Sequence, residues 1–246
     1  MKFDILTLFP KMFEGVFGES MIKRAVDKKL IEIKTHDMRQ WAWNNYGAVD
    51  DKPYGGGVGM LIRVDVVDRA IKEITNNQIT RNKQLPITKL QEINKSLIKS
   101  NEIASSRTPR NDVSSRIILT SARGKKFTQR DAERLGKYDN LIIICGHYEG
   151  FDERISELVD EEISIGDYVL TGGEIPAMTI IDSVTRLLPG VLGKYVSSKD
   201  ESHSSDGYIE YPQYTRPEVY DGKKVPEVLL SGDPKKILEF QNKKAN

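Results

Sequence analysis

The chain is poor in residues that staple, ligate or span. Its single cysteine, Cys145, cannot form an internal disulfide, and a lone thiol fits a reducing compartment. The three histidines are dispersed and offer no zinc-ligand spacing. No apolar run approaches the roughly 20 residues of a membrane span, and mean hydropathy is −0.46. Met1-Lys-Phe-Asp4 leads straight into a strand-like run, without the n-region, apolar h-region and cleavage site of a leader. A disulfide scaffold, a zinc module and a helical membrane protein are excluded, and a cytoplasmic protein is expected.

Excess charge is lacking too. The net charge is +1, from 37 basic and 36 acidic side chains, whereas nucleic-acid binders usually show a clear basic surplus. The total hides segregation. Residues 75–116 carry 8 basic and 3 acidic side chains, so the remainder is net −4. Any RNA surface is therefore a local patch, and DNA is not an expected partner.

What is present is a hydrophobic fraction of 38% over 246 residues, enough for one large domain or a core domain with an appendage. Lys2 to Phe9 reads as a buried strand, with Pro10 opening a helix that runs to about Lys28. Ile31 to His36 alternates like a second strand. Val64 to Ile74 has helical spacing, Ile117 to Thr120 reads as a strand, and Thr128 caps a short helix. Leu141-Ile-Ile-Ile-Cys145 is a continuous apolar strand. Such strands alternating with helices argue for a parallel sheet covered on both faces, an α/β domain over residues 1–192. Residues 75–116 are rich in Asn, Ser, Lys and Arg and read as an insertion, either a solvated excursion or an extra RNA contact. A polar linker, 193–207, precedes a short helical C-terminal domain, 208–246, whose last helix starts at Asp233 with Pro234 at its first position.

Three glycine-rich stretches stand out: Pro53-Tyr-Gly-Gly-Gly-Val-Gly-Met60, Cys145-Gly-His-Tyr-Glu-Gly150, and Ser164-Ile-Gly-Asp-Tyr-Val-Leu-Thr-Gly-Gly-Glu174. The third is a β-type run leading into Pro176, which opens a helix. None has the G-x-G-x-x-G spacing between strand and helix of a dinucleotide fold, so a nicotinamide enzyme is rejected. Glycines there let backbone approach a ligand. Cys145 ends an apolar strand and reads as core. Trp41 and Trp43 read as packing residues or as stacking surfaces for a base.

These stretches, in this order, resemble the bacterial tRNA (guanine-N1)-methyltransferase family of the SPOUT superfamily, from the N-terminus to about Pro234. The resemblance implies a parallel sheet with a C-terminal trefoil knot whose loops bind S-adenosylmethionine, and a homodimer acting on the guanosine beside the tRNA anticodon. The implied cofactor contacts are Leu119, Thr120, Ser121, Gly146, Tyr148, Glu149, Gly150, Ser164, Ile165, Gly166, Asp167, Tyr168, Val169, Leu170, Gly172 and Gly173. Ala122 stands where the family usually has proline, and His147 where arginine is common. The family usually continues beyond the last helix with further basic turns.

Methylation at guanine N1 requires a base to remove a proton and a cation or donor to meet the charge that builds on O6. The methyl donor is already an activated sulfonium, so a metal is not chemically obligatory; magnesium is compatible with the family but not implied by this sequence. By resemblance, Arg186, expected on a helix over Ala177–Leu188, is the cation. Glu201 stands in place of the family's linker aspartate, with Asp200 beside it as the alternative base; Glu201 would come from the subunit opposite the cofactor. The rival readings are a non-catalytic RNA- or cofactor-binding relative with a shortened tail, and a ribose 2′-O-methyltransferase of the same superfamily.

Overall fold

The computed structural model describes residues 1–83, 114–192, 201–205 and 207–245, with side chains of the first segment described to residue 77. The chain divides into two compact units, Met1–Val191 and Leu192–Asn246. The first is built on a five-stranded, all-parallel sheet of order β2-β1-β6-β5-β7. Its strands are β1 (Lys2–Thr7), β2 (Glu32–Asp37), β5 (Ser115–Lys126), β6 (Asn140–Ile144) and β7 (Glu161–Ser164). A two-stranded ribbon, β3 (Asp50–Asp51) with β4 (Leu61–Ile62), lies apart from it.

Alternation along the strands supplies two cores. Phe3, Ile5, Leu141, Ile143 and Ile118 face one way, and Leu6, Ile142, Ile144 and Leu119 the other. Each fully buried aliphatic side chain stabilises the fold by about 1.5–3 kcal/mol. The helices α1 (Met12–Phe17), α2 (Ser20–Asp27), α4 (Gln129–Leu135) and α5 (Glu174–Thr185) belong to the first core, whereas α3 (Val64–Lys83) covers the second. Thr128 caps α4 in a capping box, its hydroxyl accepting from Asp131 N while the Asp131 carboxylate accepts from Thr128 N.

Several boundaries differ from expectation. The helix expected from Pro10 to Lys28 is two helices, because the chain turns at Gly18-Glu19; a Cβ on Gly18 would sit 2.6 Å from Glu14 O. The strand before the third glycine stretch is Glu161–Ser164, and the residues from Ile165 to Gly173 form a loop. Glu161 is tolerated in a strand because Arg116 Nε lies 2.9 Å away and Arg134 grips both of its oxygens at 2.9 and 2.7 Å. α5 starts at Glu174, so Pro176 falls inside its first turn, and it ends at Thr185, leaving Arg186 as its C-cap. α3 runs to Lys83, into the stretch read as an insertion; the rest of that stretch, 84–113, and the linker residues 193–200 and 206 lie outside the described residues.

Asp4 carries a fully buried carboxylate on β1, 2.8 Å from His36 Nε2 and 2.8 Å from Lys2 Nζ. Burial works against its charge, but the bonds from His36 and Lys2 prevail and hold the carboxyl below its ordinary range. A carboxyl lowered on folding adds stability that is present above its unfolded pKa and is lost as pH falls through the folded value. Asp4→Asn is expected to cost about 3 kcal/mol by leaving buried partners uncompensated. It should also flatten the acid side of the stability profile, as read by denaturant unfolding between pH 3 and 7.

The second unit holds a short ribbon, β8 (Val219–Tyr220) with β9 (Lys223–Lys224), and helices α6 (Glu227–Leu230) and α7 (Pro234–Lys244). Asp233 caps α7 by accepting from Lys235 N and Lys236 N, with Pro234 first in the helix. None of its described residues from 201 to 245 is buried. Among the described residues no helix is long and apolar enough to cross a membrane.

Candidate functional site: a cavity at the C-terminal sheet edge

In open parallel sheets the carboxyl ends of the strands are where loops diverge and ligands sit. Here the irregular stretch of β5 beyond Thr120 and the loops that follow β6 and β7 line a cavity of about 370 Å³, a volume within the range of small-ligand sites.

Its floor is main chain pressed on main chain. Thr120 Oγ1 donates to Ile144 O at 3.0 Å and accepts from Gly146 N at 3.4 Å. Gly173 N donates to Gly146 O at 2.7 Å. A Cβ on Gly173 would lie 2.1 Å from Thr120 Oγ1 and 2.5 Å from Gly146 N, so nothing larger than glycine fits. Ser164 Oγ donates to Gly166 O at 2.9 Å and shapes the third loop. Buried at the start of α5, Glu174 accepts from Thr7 Oγ1 at 2.7 Å. The rim is aromatic and apolar: Tyr148, Tyr168, Val169 and Leu170 are all exposed there. Burial, with help from Asp50, pushes the Tyr148 phenol above its ordinary value.

All but one of the residues expected to touch a cofactor line this cavity: Leu119, Thr120, Ser121, Gly146, Tyr148, Glu149, Gly150, Ser164, Ile165, Gly166, Tyr168, Val169, Leu170, Gly172 and Gly173. Asp167 does not; it points outward and pairs with Lys126. Arg123, Phe151, Asp152, Glu153 and Ser156 also line the cavity and escaped the sequence reading. Arg123 reaches Glu153 at 2.9 Å, joining the loop after Thr120 to the 3-10 turn Glu153–Glu157. The Asp152-Glu-Arg triplet after Gly150 was the available signal for that turn, since Asp152 accepts from Arg154 N as its cap.

His147 also lines the cavity, between the rings of Phe9 and Tyr148 at 4.9 and 5.0 Å. Its Nδ1 is buried without a hydrogen-bond partner within the chain. A Cβ on Gly172 would lie 3.0 Å from that nitrogen. An orphaned polar atom beside a floor that tolerates no side chain is what a polar ligand would satisfy. Cys145 is fully buried, and burial followed by the charge of Glu174 pushes its thiol well up, so it is core and not a nucleophile.

The glycine loop 55–59 belongs to the same region. Glu149 N donates to Met60 O at 3.1 Å, and Ile62 N donates to Gly150 O at 3.0 Å. Gly59, at φ +84, lies so close to Glu149 that a Cβ would meet its side chain at 2.3 Å. The β3-β4 ribbon thus holds this loop against the cavity-lining segment after β6.

Arg186 is not brought to this cavity. α5 starts at the cavity floor and carries Arg186 about 18 Å along its axis. Four residues on, Gly190 packs near Leu30, which precedes β2 at the opposite edge of the sheet. Glu201 belongs to the second unit, in a turn where its carbonyl accepts from Ser204 N at 3.0 Å. Asp200 lies outside the described residues.

The parallel sheet thus carries at its C-terminal edge a ligand-sized cavity, floored by main chain and rimmed by aromatic and apolar side chains. The chain belongs to the tRNA (guanine-1)-methyltransferase family, TrmD, whose profile matches residues 1–98 and 93–246. It is 46% identical over 246 residues to the tRNA (guanine-N(1)-)-methyltransferase of Bacillus subtilis, spanning 100% of this chain and 87% of that one. It is 45% identical over 244 residues to the protein of that name from Citrifermentans bemidjiense, covering 99% and 84%. With the Staphylococcus carnosus protein of the same name the figures are 44% over 238 residues, 96% and 82%.

Proposed function

We propose that this chain transfers a methyl group from S-adenosylmethionine to N1 of guanosine 37 of tRNA, in the cytoplasm and as a homodimer. The observation that carries the reading is the coincidence of the family's cofactor-loop residues with the cavity at the C-terminal sheet edge. The cofactor fits that cavity by its chemistry. The loop backbone at Gly146, Gly166 and Gly172, bare of side chains, suits close approach of an adenine edge, Ile165, Tyr168 and Leu170 suit its faces, and His147 Nδ1 suits a polar group. When bound, the cofactor supplies an electrophilic methyl group.

The trefoil knot is carried over from the family, and β5 meets β7 through a register shift. Thr120 and Lys125 both pair with Ile163, and the intervening excursion is pressed so close that a Cβ on Gly124 would lie 2.6 Å from the backbone of Glu162 and Ile163.

The remaining chemistry belongs to Glu201 and Arg186. Glu201 takes the proton from guanine N1, and the Arg186 guanidinium meets the charge that develops on O6. Because α5 holds Arg186 far from its own cavity, we assign both residues to the cavity of the partner subunit, so that each site is built from two chains. The second unit favours such a partner. With no buried residue among the described residues of 201–245, and with Ile209, Tyr214, Tyr220, Leu230 and Leu238 exposed, these residues form no core that would stabilise the unit alone. Purified protein with labelled cofactor is expected to methylate an unmodified tRNA whose guanosine 37 follows another guanosine, and to leave the same tRNA carrying adenosine 37 unlabelled. Equal labelling of both would overturn the substrate assignment.

A further inference from the structure

The two tryptophans of the loop after β2 have opposite fates. Trp41 is core, 8% exposed, and its Nε1 donates to Glu73 at 2.8 Å. Trp43, two residues on, is 52% exposed and lies against the Arg63 guanidinium, whose carbon is 5.0 Å from the indole centroid. Arg63 is itself fixed: Nε and Nη2 reach Asp65 at 2.9 and 3.1 Å, and Nη1 reaches Asp51 at 3.2 Å. The loop beyond Trp43 is ordered as well, since Asn44 Oδ1 accepts from Tyr46 N and Ala48 N, both at 3.1 Å. One face of a large aromatic ring is therefore occupied by an immobilised cation, and the ring is held in place partly in solvent.

We propose that Trp43, backed by Arg63, is a stacking platform for an unpaired base of the RNA strand whose guanosine enters the cavity. The inference rests on the proposed tRNA substrate. Three observations select this occupant. Asp51 and Asp65 neutralise Arg63, so the patch offers a π-face and not an attraction for phosphate. A π-face accepts any base, but only one already out of a duplex. The platform also adjoins the cavity: Arg63 follows Ile62, which bridges to Phe151 and whose N donates to Gly150 O, and both Phe151 and Gly150 line the cavity.

Stacking on one aromatic contributes about 1–3 kcal/mol by alanine substitution, so loss of the platform should weaken RNA binding by about tenfold or more. Steady-state methyl transfer to a tRNA transcript, with cofactor binding measured by calorimetry, tests this. Trp43→Ala and Trp43→Leu are expected to raise KM for tRNA by about tenfold, with kcat and cofactor Kd within about twofold of wild type. Trp43→Tyr, which keeps a π-face, should stay within about threefold in KM. An unmoved KM in Trp43→Ala, equal behaviour of the leucine and tyrosine variants, or a change in oligomeric state without a change in KM overturns the platform. Wild-type protein that transfers nothing to tRNA overturns the substrate reading and the platform together; wild-type activity with an unmoved KM overturns the platform alone.

Discussion

Arg186→Ala should lower turnover about 100-fold or more, the scale of removing a donor to a developing oxyanion, while cofactor affinity stays within about twofold. The two effects separate because Arg186 caps the far end of α5, about 18 Å along the helix from the cavity floor. Glu201→Gln should lose activity similarly, Asp200→Asn should keep most of it, and Glu201→Asp should remain active. Activity surviving in Glu201→Gln but lost in Asp200→Asn would transfer the base to Asp200. Subunit mixing reads the cross-subunit arrangement directly. If one chain supplies the cavity and the other supplies both Arg186 and Glu201, Arg186→Ala mixed with a cavity-defective chain should recover about a quarter of the wild-type sites under random exchange. Arg186→Ala mixed with Glu201→Gln should recover nothing, since each site then lacks one of the two groups. The reverse pattern would place Arg186 in the site of its own chain.

Gly173→Ala supplies that cavity defect and is expected to weaken cofactor binding by about 100-fold or more, an energy of about 3 kcal/mol. The added methyl group would meet Thr120 Oγ1, Gly146 N and Cys145 Cα within 2.8 Å, and the last two are backbone that cannot yield without moving the chain after β6. Gly166→Ala is the informative contrast. The three atoms nearest its Cβ would all belong to the ring of Tyr168, which is 56% exposed and can swing aside. Calorimetry beside thermal unfolding distinguishes a filled site from a lost fold: Gly173→Ala should remain folded and fail to bind. Unchanged affinity would mean that the floor formed by Gly173 and Gly146 is not the cofactor site.

Much of the first unit was legible because its signals are local. The unbroken apolar run from Leu141 reads as a doubly covered strand and forms one to Ile144, and Thr128 and Asp233 each carry the side chain that caps the helix after them. β7 was hidden because two of its four residues are glutamates, Glu161 paired with Arg116 and Arg134 and Glu162 accepting from the Ser156 hydroxyl, all from elsewhere in the chain. The break at Gly18 was missed because apolar residues recur at helical spacing on both sides of it. Which of two nearby tryptophans is buried depends on Glu73 and Arg63, neither of which is adjacent in sequence. At the site, the glycine loops were readable and the direction of individual side chains was not. Asp167 sits inside the right motif and turns away to Lys126. The helix bearing Arg186 was foreseen, but its true ends, and hence the distance of Arg186 from the cavity, required the sheet against which α5 packs.

The measurement closest to the central claim is the identity of the methylated nucleoside. Unmodified tRNA incubated with the protein and S-adenosylmethionine, then digested and analysed by mass spectrometry, should yield 1-methylguanosine, mapped to position 37. Digestion that instead yields 2′-O-methylguanosine, or no methylated nucleoside from tRNA under conditions where calorimetry shows the cavity occupied, would contradict the account.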